Sequence, residues 1–246
     1  MVGAYAIGLT LFVIATVVIV WLLRPEPMEI ARELAHQQER TVDTNVEGQP
    51  LRKIFQRPGV LVASGSMIFG QLVMVMLMVI TSLHMRNSGF LLKDIALVIA
   101  AHTFGMFAFS IFSGRLTDRI GRTPVLMFGS IMLVLAGLTA GLFPGIFPLM
   151  ISLFLLGLGW NFCYVGGSTM LTDNLRSMEQ SRVQGFNDLL LGLVSAIGSL
   201  GSGFVFAAIG YRAVGLIGVV LAIIPFVLSL WWRRNHAPTP LRKAAS

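Results

Sequence analysis

Charge is what this chain has least of. Only 12% of its 246 residues are Asp, Glu, Lys or Arg, about half the share of an ordinary soluble domain. By contrast 55% are hydrophobic, and the mean hydropathy is +0.81. That scarcity excludes a conventional solvated surface and points to a lipid bilayer as solvent. Cysteine is almost absent too. The single Cys163 sits in an apolar run, so neither an intrachain disulfide framework nor a cysteine-based metal site is possible. A glycine-rich phosphate loop of the Walker type is missing, which argues against an ATP-driven pump within this chain. Nor is there a nucleophile–base pair or a metal-spaced ligand cluster, so no enzyme activity, cofactor or metal is expected. A net charge of +7 raises the question of nucleic acid. The bases lie in short connections between apolar runs, however, where a membrane explains them better, and nucleic acid is not an expected partner.

What the chain does have is long apolar runs. A bilayer-crossing helix needs about 20 mostly apolar residues. Interrupting charges mark seven such segments, approximately 3–23, 59–84, 95–113, 124–143, 147–171, 189–209 and 213–232. The fourth and fifth share one uncharged stretch, Thr123 to Thr172, which "FPGIFP" (Phe143 to Pro148) divides because proline and glycine together favour a turn. The first segment has no basic n-region and no small-residue cleavage site, and its apolar run is too long for a signal peptide, so a retained span is expected. The fold class that follows is an all-α integral membrane protein with seven transmembrane helices.

Seven spans place the termini on opposite sides, and the bases choose between the two orientations. One side collects Arg24, Arg32, Arg40, Arg52, Lys53, Arg57, Arg115, Arg119, Arg122, Arg176, Arg182, Arg233, Arg234, Arg242 and Lys243, 15 in all, against Arg86, Lys93 and Arg212, 3, on the other. The N-terminus is therefore expected outside and the tail in the cytoplasm, in a plasma (inner) membrane. The one long loop, residues 24–58, carries six acidic and six basic residues and is expected to be cytoplasmic. Within it "EPMEIARELAHQQER" places Ile30, Ala31, Leu34 and Ala35 at helical spacing, which suggests a short amphipathic surface helix, followed by a flexible "TVDTNVEGQP".

The shortest charged bridge is the most specific feature. "GRLTDRIGR", Gly114 to Arg122, resembles the G-x-L-x-D-R-x-G-R/K loop of the major facilitator superfamily of secondary transporters, with Thr117 replacing the commoner alanine. "WLLRPEP", "LRKIFQRPGVLVA" and "LGLGWNFCYVGGSTMLTD" resemble the same family. The resemblance implies that Gly114, Asp118, Arg119, Gly121 and Arg122 form a cytoplasmic latch loop that favours one state of alternating access. Glycine at 114 would let two helices approach closely, and Gly121 would take the left-handed backbone of a tight turn. Asp118 would face a helix N-terminus or pair with arginine. The resemblance also implies a domain plan: 1–23 as a lone span like the family's sixth, 24–58 as the central loop, 59–232 as a complete six-helix C-terminal half built of two inverted repeats, and 233–246 as a cytoplasmic tail. Five spans of the family pattern then lack a counterpart. They belong to another chain, to a second copy, or to a longer sequence of which this is part.

Ionisable groups inside a membrane are costly and are functional candidates by default. His102 lies about seven residues, roughly 10 Å, into the third span. It suits proton coupling, because its unperturbed pKa is near neutrality; the competing reading is a neutral histidine bonded between helices. His84 is expected to be interfacial. In the family the first helix of each repeat lines the cavity, which maps to the second and fifth spans and makes Gln71, Trp160, Asn161 and Tyr164 the candidate cavity residues. Asn161 and Tyr164 have a second reading as interhelical hydrogen-bonders. Met67, Met74 and Met78 read as packing. Gly198–Ser202 and Gly157–Asn161 speak of close helix crossings. Asp173, Arg176, Arg182, Gln184, Asn187 and Asp188 form an expected polar cluster at the basic side.

The expected partners are the lipid bilayer, a small-molecule substrate, and either the missing half or a second copy. The expected function is a secondary active transporter of a small solute, ion- or proton-coupled and present as a half. The alternative is a truncated membrane protein that assembles without transporting. A seven-span receptor or retinal protein is disfavoured, because Ala213 to Trp232 contains no lysine.

Overall fold

The computed structural model describes residues 2–22, 49–143 and 145–236. The amphipathic helix expected over 26–40 lies outside the described residues, as does the tail beyond 236. Every regular element among the described residues is an α-helix: α1 Val2–Leu22, α2 Leu51–Ile54, α3 Pro58–Asn87, α4 Leu92–Phe107, α5 Ser110–Ile120, α6 Arg122–Leu142, α7 Ile146–Asp173, α8 Ser177–Ile209 and α9 Tyr211–Asn235. The described residues fall into two compact units, divided between residues 48 and 49. The chain is an all-α, multi-pass membrane protein.

Six described helical stretches are long and apolar enough to cross a membrane, all in the second unit, with α4 and α5 together making one of them. Seven were expected. In the first unit the expected first span is the helix α1, 21 residues without a charge, which is not among these six. Two boundaries also differ from expectation. The span expected over 95–113 continues as helix to Ile120, and the one expected from 189 begins twelve residues earlier, at Ser177.

The packing of the six-helix unit is reciprocal. Its first three crossings (α3, α4–α5, α6) face its last three (α7, α8, α9): α4 packs on α7, α8 on α3, and α6 runs beside α9. Small residues allow the tightest crossings. A Cβ on Gly137 would come within 2.8 Å of the Gly215 carbonyl oxygen, and one on Gly157 would overlap the His102 carbonyl oxygen. The core between α3, α6, α7 and α9 holds Leu77, Leu133, Leu153, Leu156 and Val214, all fully buried. The flanking crossings are different. Only 22% of the most apolar part of α4–α5 and 17% of that of α8 is buried, against 50% for α3, α6 and α7. Phe104, Phe107, Ile111 and Phe112 on one, and Leu193, Ile197, Leu200 and Phe204 on the other, face outward.

Candidate substrate-facing site

Three helices of this unit bring uncharged polar and aromatic groups together at mid-membrane depth. Trp160 and Tyr164 stand four residues apart on α7 and so share a face. Their rings stack, with centroids 5.0 Å apart and planes 19° from parallel. The Trp160 indole N–H donates to Gln71 Oε1 on α3 at 2.7 Å. Gln71 Nε2 donates to Ser195 Oγ on α8 at 2.8 Å, and Ser195 in turn donates to the Leu191 carbonyl oxygen at 2.7 Å. The relay fixes the Gln71 amide with its oxygen toward tryptophan. It leaves one amide proton and the Tyr164 hydroxyl without a hydrogen-bond partner among the described residues. All four side chains are part-buried. Such a set can stack on a planar solute and exchange neutral hydrogen bonds with it, and it offers no fixed charge.

Asn161 is not part of that set. One residue further along α7 turns it about 100° away, toward the junction of α4 and α5. There it is 2% exposed. Its Nδ2 donates to the Met106 carbonyl oxygen at 2.7 Å and to Ser110 Oγ at 3.0 Å. Its Oδ1 accepts from Ser113 Oγ. The junction, Ala108–Phe109, interrupts the helix between Phe107 and Ser110. A break of this kind frees a carbonyl that the next turn would otherwise satisfy, and a buried orphan in lipid costs several kcal/mol. Asn161 splints the break by supplying the missing donor.

His102 also lies apart from the ring pair. Its Nδ1, read as the protonated nitrogen, donates to the Leu153 carbonyl oxygen at 2.9 Å, nearly two turns of α7 before Trp160. The ring is 1% exposed, and Nε2 finds no hydrogen-bond partner among the described residues.

The latch residues take a form different from the expected loop. Gly114, Asp118 and Arg119 lie inside α5, whose helical hydrogen bonding runs unbroken to Gly121 N–H on the Thr117 carbonyl oxygen at 3.1 Å. The physical reason is local: Arg115 to Ile120 are all helix-compatible, and Ser113 and Thr117 bury one face of this turn. A Cβ on Gly114 would meet nothing within 4 Å, so close approach does not explain that glycine. Gly121 is the whole connection. Its φ of +90° and ψ of 167° suit glycine alone, and it ends α5 and begins α6. Asp118 is exposed and makes no hydrogen bond or ion pair among the described residues, and Arg119 is exposed as well. Arg122 pairs instead with Asp173 at the end of α7, Nε to Oδ2 2.7 Å.

A second ion pair at this basic end went unread in the sequence. Arg57 donates through both terminal nitrogens to Glu179, at 2.8 and 2.9 Å, and further to the Asn174 carbonyl oxygen and Gln49 Oε1. Glu179 also accepts from the Arg176 N–H at 3.1 Å, as the third residue of a helix does in a capping box. Its hydrogen bond to Glu179 raises the Arg57 pKa above its already high ordinary value, so the arginine stays charged. The available signal was Glu179 three residues after Arg176, at the head of what proves to be α8. Of the expected polar cluster, Asp188 and Arg182 are exposed. Asn187 is buried, with Nδ2 3.9 Å from Met67 Sδ.

Comparison with known proteins follows the same lines. A family model described as Major Facilitator Superfamily matches residues 78–246. The chain is 34% identical over 233 residues to the uncharacterized MFS-type transporter YdeG of Bacillus subtilis (strain 168), covering 94% of this chain and 54% of that protein. It is 30% identical over 235 residues to YddS of the same strain, covering 95% and 54%. It is 28% identical over 192 residues to the riboflavin transporter RfnT of Brucella anthropi, covering 74% and 47%. The chain thus spans about half the length of these curated relatives.

Proposed function

The chain belongs to the major facilitator superfamily, and from that premise we propose that it forms the C-terminal half of a secondary transporter that moves a small solute by alternating access. Its N-terminus faces outside and its tail the cytoplasm of the plasma membrane, an orientation that 15 bases against 3 support under the positive-inside rule. The observation that carries the transport reading is the relay Trp160–Gln71–Ser195 with Tyr164 stacked beside it, since it joins α3, α7 and α8 through part-buried, uncharged groups. The solute is small, uncharged or weakly charged, and planar enough to lie on the ring pair. Riboflavin, the solute named for one relative, is the first probe to use. The other half of the pathway comes from a second six-helix half or a second copy, seated on the outward apolar faces of α4–α5 and α8.

His102 is the proton-coupling candidate, because its Nε2 is buried and unpartnered among the described residues. The latch acts through Arg122–Asp173, with Asp118 and Arg119 free on the surface of α5 to meet the absent half. The test uses the complete two-half protein in proteoliposomes with labelled riboflavin. Trp160→Ala should lower uptake about tenfold or more at unchanged protein level, since stacking on an aromatic and its hydrogen bond are lost together. Uptake equal to wild type would remove the ring pair from the substrate path. In the same vesicles His102→Ala should abolish dependence on an imposed proton gradient, and an unchanged dependence would end the coupling role.

A further inference from the structure

At the end of the six-helix unit opposite its ion pairs there is a half-open cavity of about 670 Å³, lined by the end of α3, the α6–α7 turn and the α8–α9 turn. Ligand pockets commonly fall between about 300 and 1,000 Å³. One wall is aromatic. His84 stacks on Tyr211 with centroids 4.1 Å apart and planes 4° from parallel, and Phe206 meets His84 edge-on at 6.3 Å. The Tyr211 hydroxyl is tied to Thr81 Oγ1 at 2.8 Å, which holds the stacked pair in place. Phe90 and Leu149 extend the apolar surface.

The charge around this space has one sign. Arg212 lines it, is exposed, and has no ion-pair or hydrogen-bond partner among the described residues. No aspartate or glutamate is among the lining residues. Gly210 carries no side chain to cap the first turn of α9, and a Cβ there would meet nothing within 4 Å, so the space before that turn is open. Arg212 is also one of only three bases on its side of the chain, where none is needed to retain a loop. Stacked rings, an apolar flank and an unpaired guanidinium at the rim of the membrane suit a ligand with an anionic head and an apolar body.

We propose that this cavity binds an amphiphile with a net-anionic phosphate head, with the phosphate on Arg212 and the apolar part along Phe90, Leu149 and Phe206. The same phosphate chemistry is offered by an anionic phospholipid headgroup and by free phosphate, and the experiment separates the two. The site lies apart from the Gln71–Trp160 pair and stands whether or not that pair meets a substrate.

The full chain, purified in a non-ionic detergent, is titrated with phosphatidylglycerol and with phosphatidylcholine, and bound lipid is counted by native mass spectrometry. One phosphatidylglycerol should bind saturably and phosphatidylcholine at least tenfold more weakly. Arg212→Gln should weaken phosphatidylglycerol binding about tenfold, Arg212→Lys should retain most of it, and Lys93→Gln, which does not line the cavity, should leave it unchanged. Ser88→Glu puts a carboxylate on the exposed rim without touching the core, and should abolish binding even if the arginine variant folds poorly. Displacement of the lipid by millimolar inorganic phosphate, lost in Arg212→Gln, supports the site with a soluble source. Equal binding of the two lipids, or equal binding by wild type, Arg212→Gln and Ser88→Glu, overturns it.

Discussion

At the scale of single residues, neighbours on one helix have opposite duties, and substitution should separate them. Trp160 and Asn161 are adjacent in sequence, yet one faces the part-buried relay and the other splints the α4–α5 break. Gln71→Leu removes an uncharged relay whose members keep other surroundings, so the thermal midpoint of the purified chain should move little while transport of the proposed solute falls. Asn161→Leu should do the reverse. Its loss strands the Met106 carbonyl, and interhelical hydrogen bonds in membranes are worth about 0.6 to 1.7 kcal/mol each. The expected destabilisation is therefore about 1–3 kcal/mol, read as a lower midpoint; an N161L midpoint equal to wild type, with Q71L lowered, would reverse the two assignments. Residue types alone could not have distinguished them. Both are polar, both lie in mid-span, and only the 100° step between consecutive helical positions, set against where α3 and α5 actually sit, separates a relay from a splint. Gln71 and Trp160 were legible because polar groups in an apolar run stand out. Ser195 was not, since serine is common in tightly packed spans and its role depends on which helix lies across from it.

At the scale of elements, apolar length was readable and polar helix was not. Thr123 to Thr172 showed both its spans and its "FPGIFP" turn, where Gly145 takes φ +110°. Ser177 to Asp188 is as helical as the span it leads into, yet its polarity hid it from a reading based on hydropathy. The charge of the Gly114–Arg122 motif likewise suggests a loop, whereas helix continues through it to Ile120 and Gly121 alone makes the turn. Gly121→Ala forces a Cβ into a backbone region open to glycine alone, which costs about 1–3 kcal/mol, and a thermal midpoint unchanged from wild type would show that the turn relaxes freely. The two ion pairs should also differ. Glu179 is 6% exposed and would be left buried and unpaired by Arg57→Gln, whereas Asp173 is 47% exposed and can turn to water when Arg122→Gln removes its partner. Exposed pairs contribute about 0.2–1 kcal/mol, while breaking a buried one costs several; with Arg57 itself 28% exposed, R57Q should fall between these and still exceed R122Q. Equal midpoints would mean that solvent screens both pairs alike.

At the scale of the whole molecule, the sidedness of the bases is the strongest single asymmetry, and it makes a claim that no internal contact can make. An unpaired base is retained on the side where the chain is inserted, because carrying it through hydrocarbon costs about 2.5–3.5 kcal/mol even on insertion-based scales. With 15 bases gathered on one side, moving the whole set across is prohibitive, while the 3 on the other follow from the span count. Arg119 and Lys93 mark the two sides, and both are exposed. Cys163 is 1% exposed within α7 and serves as an internal silent control. In intact cells a membrane-impermeant maleimide should therefore label Lys93→Cys and spare both Arg119→Cys and the wild-type chain. After permeabilisation Arg119→Cys should label as well, and the wild type should still remain blank. Labelling of Arg119→Cys in intact cells would invert the molecule. It would then place the Arg122–Asp173 ion pair outside and the Arg212 cavity inside, so that any anionic lipid at that cavity would come from the opposite leaflet.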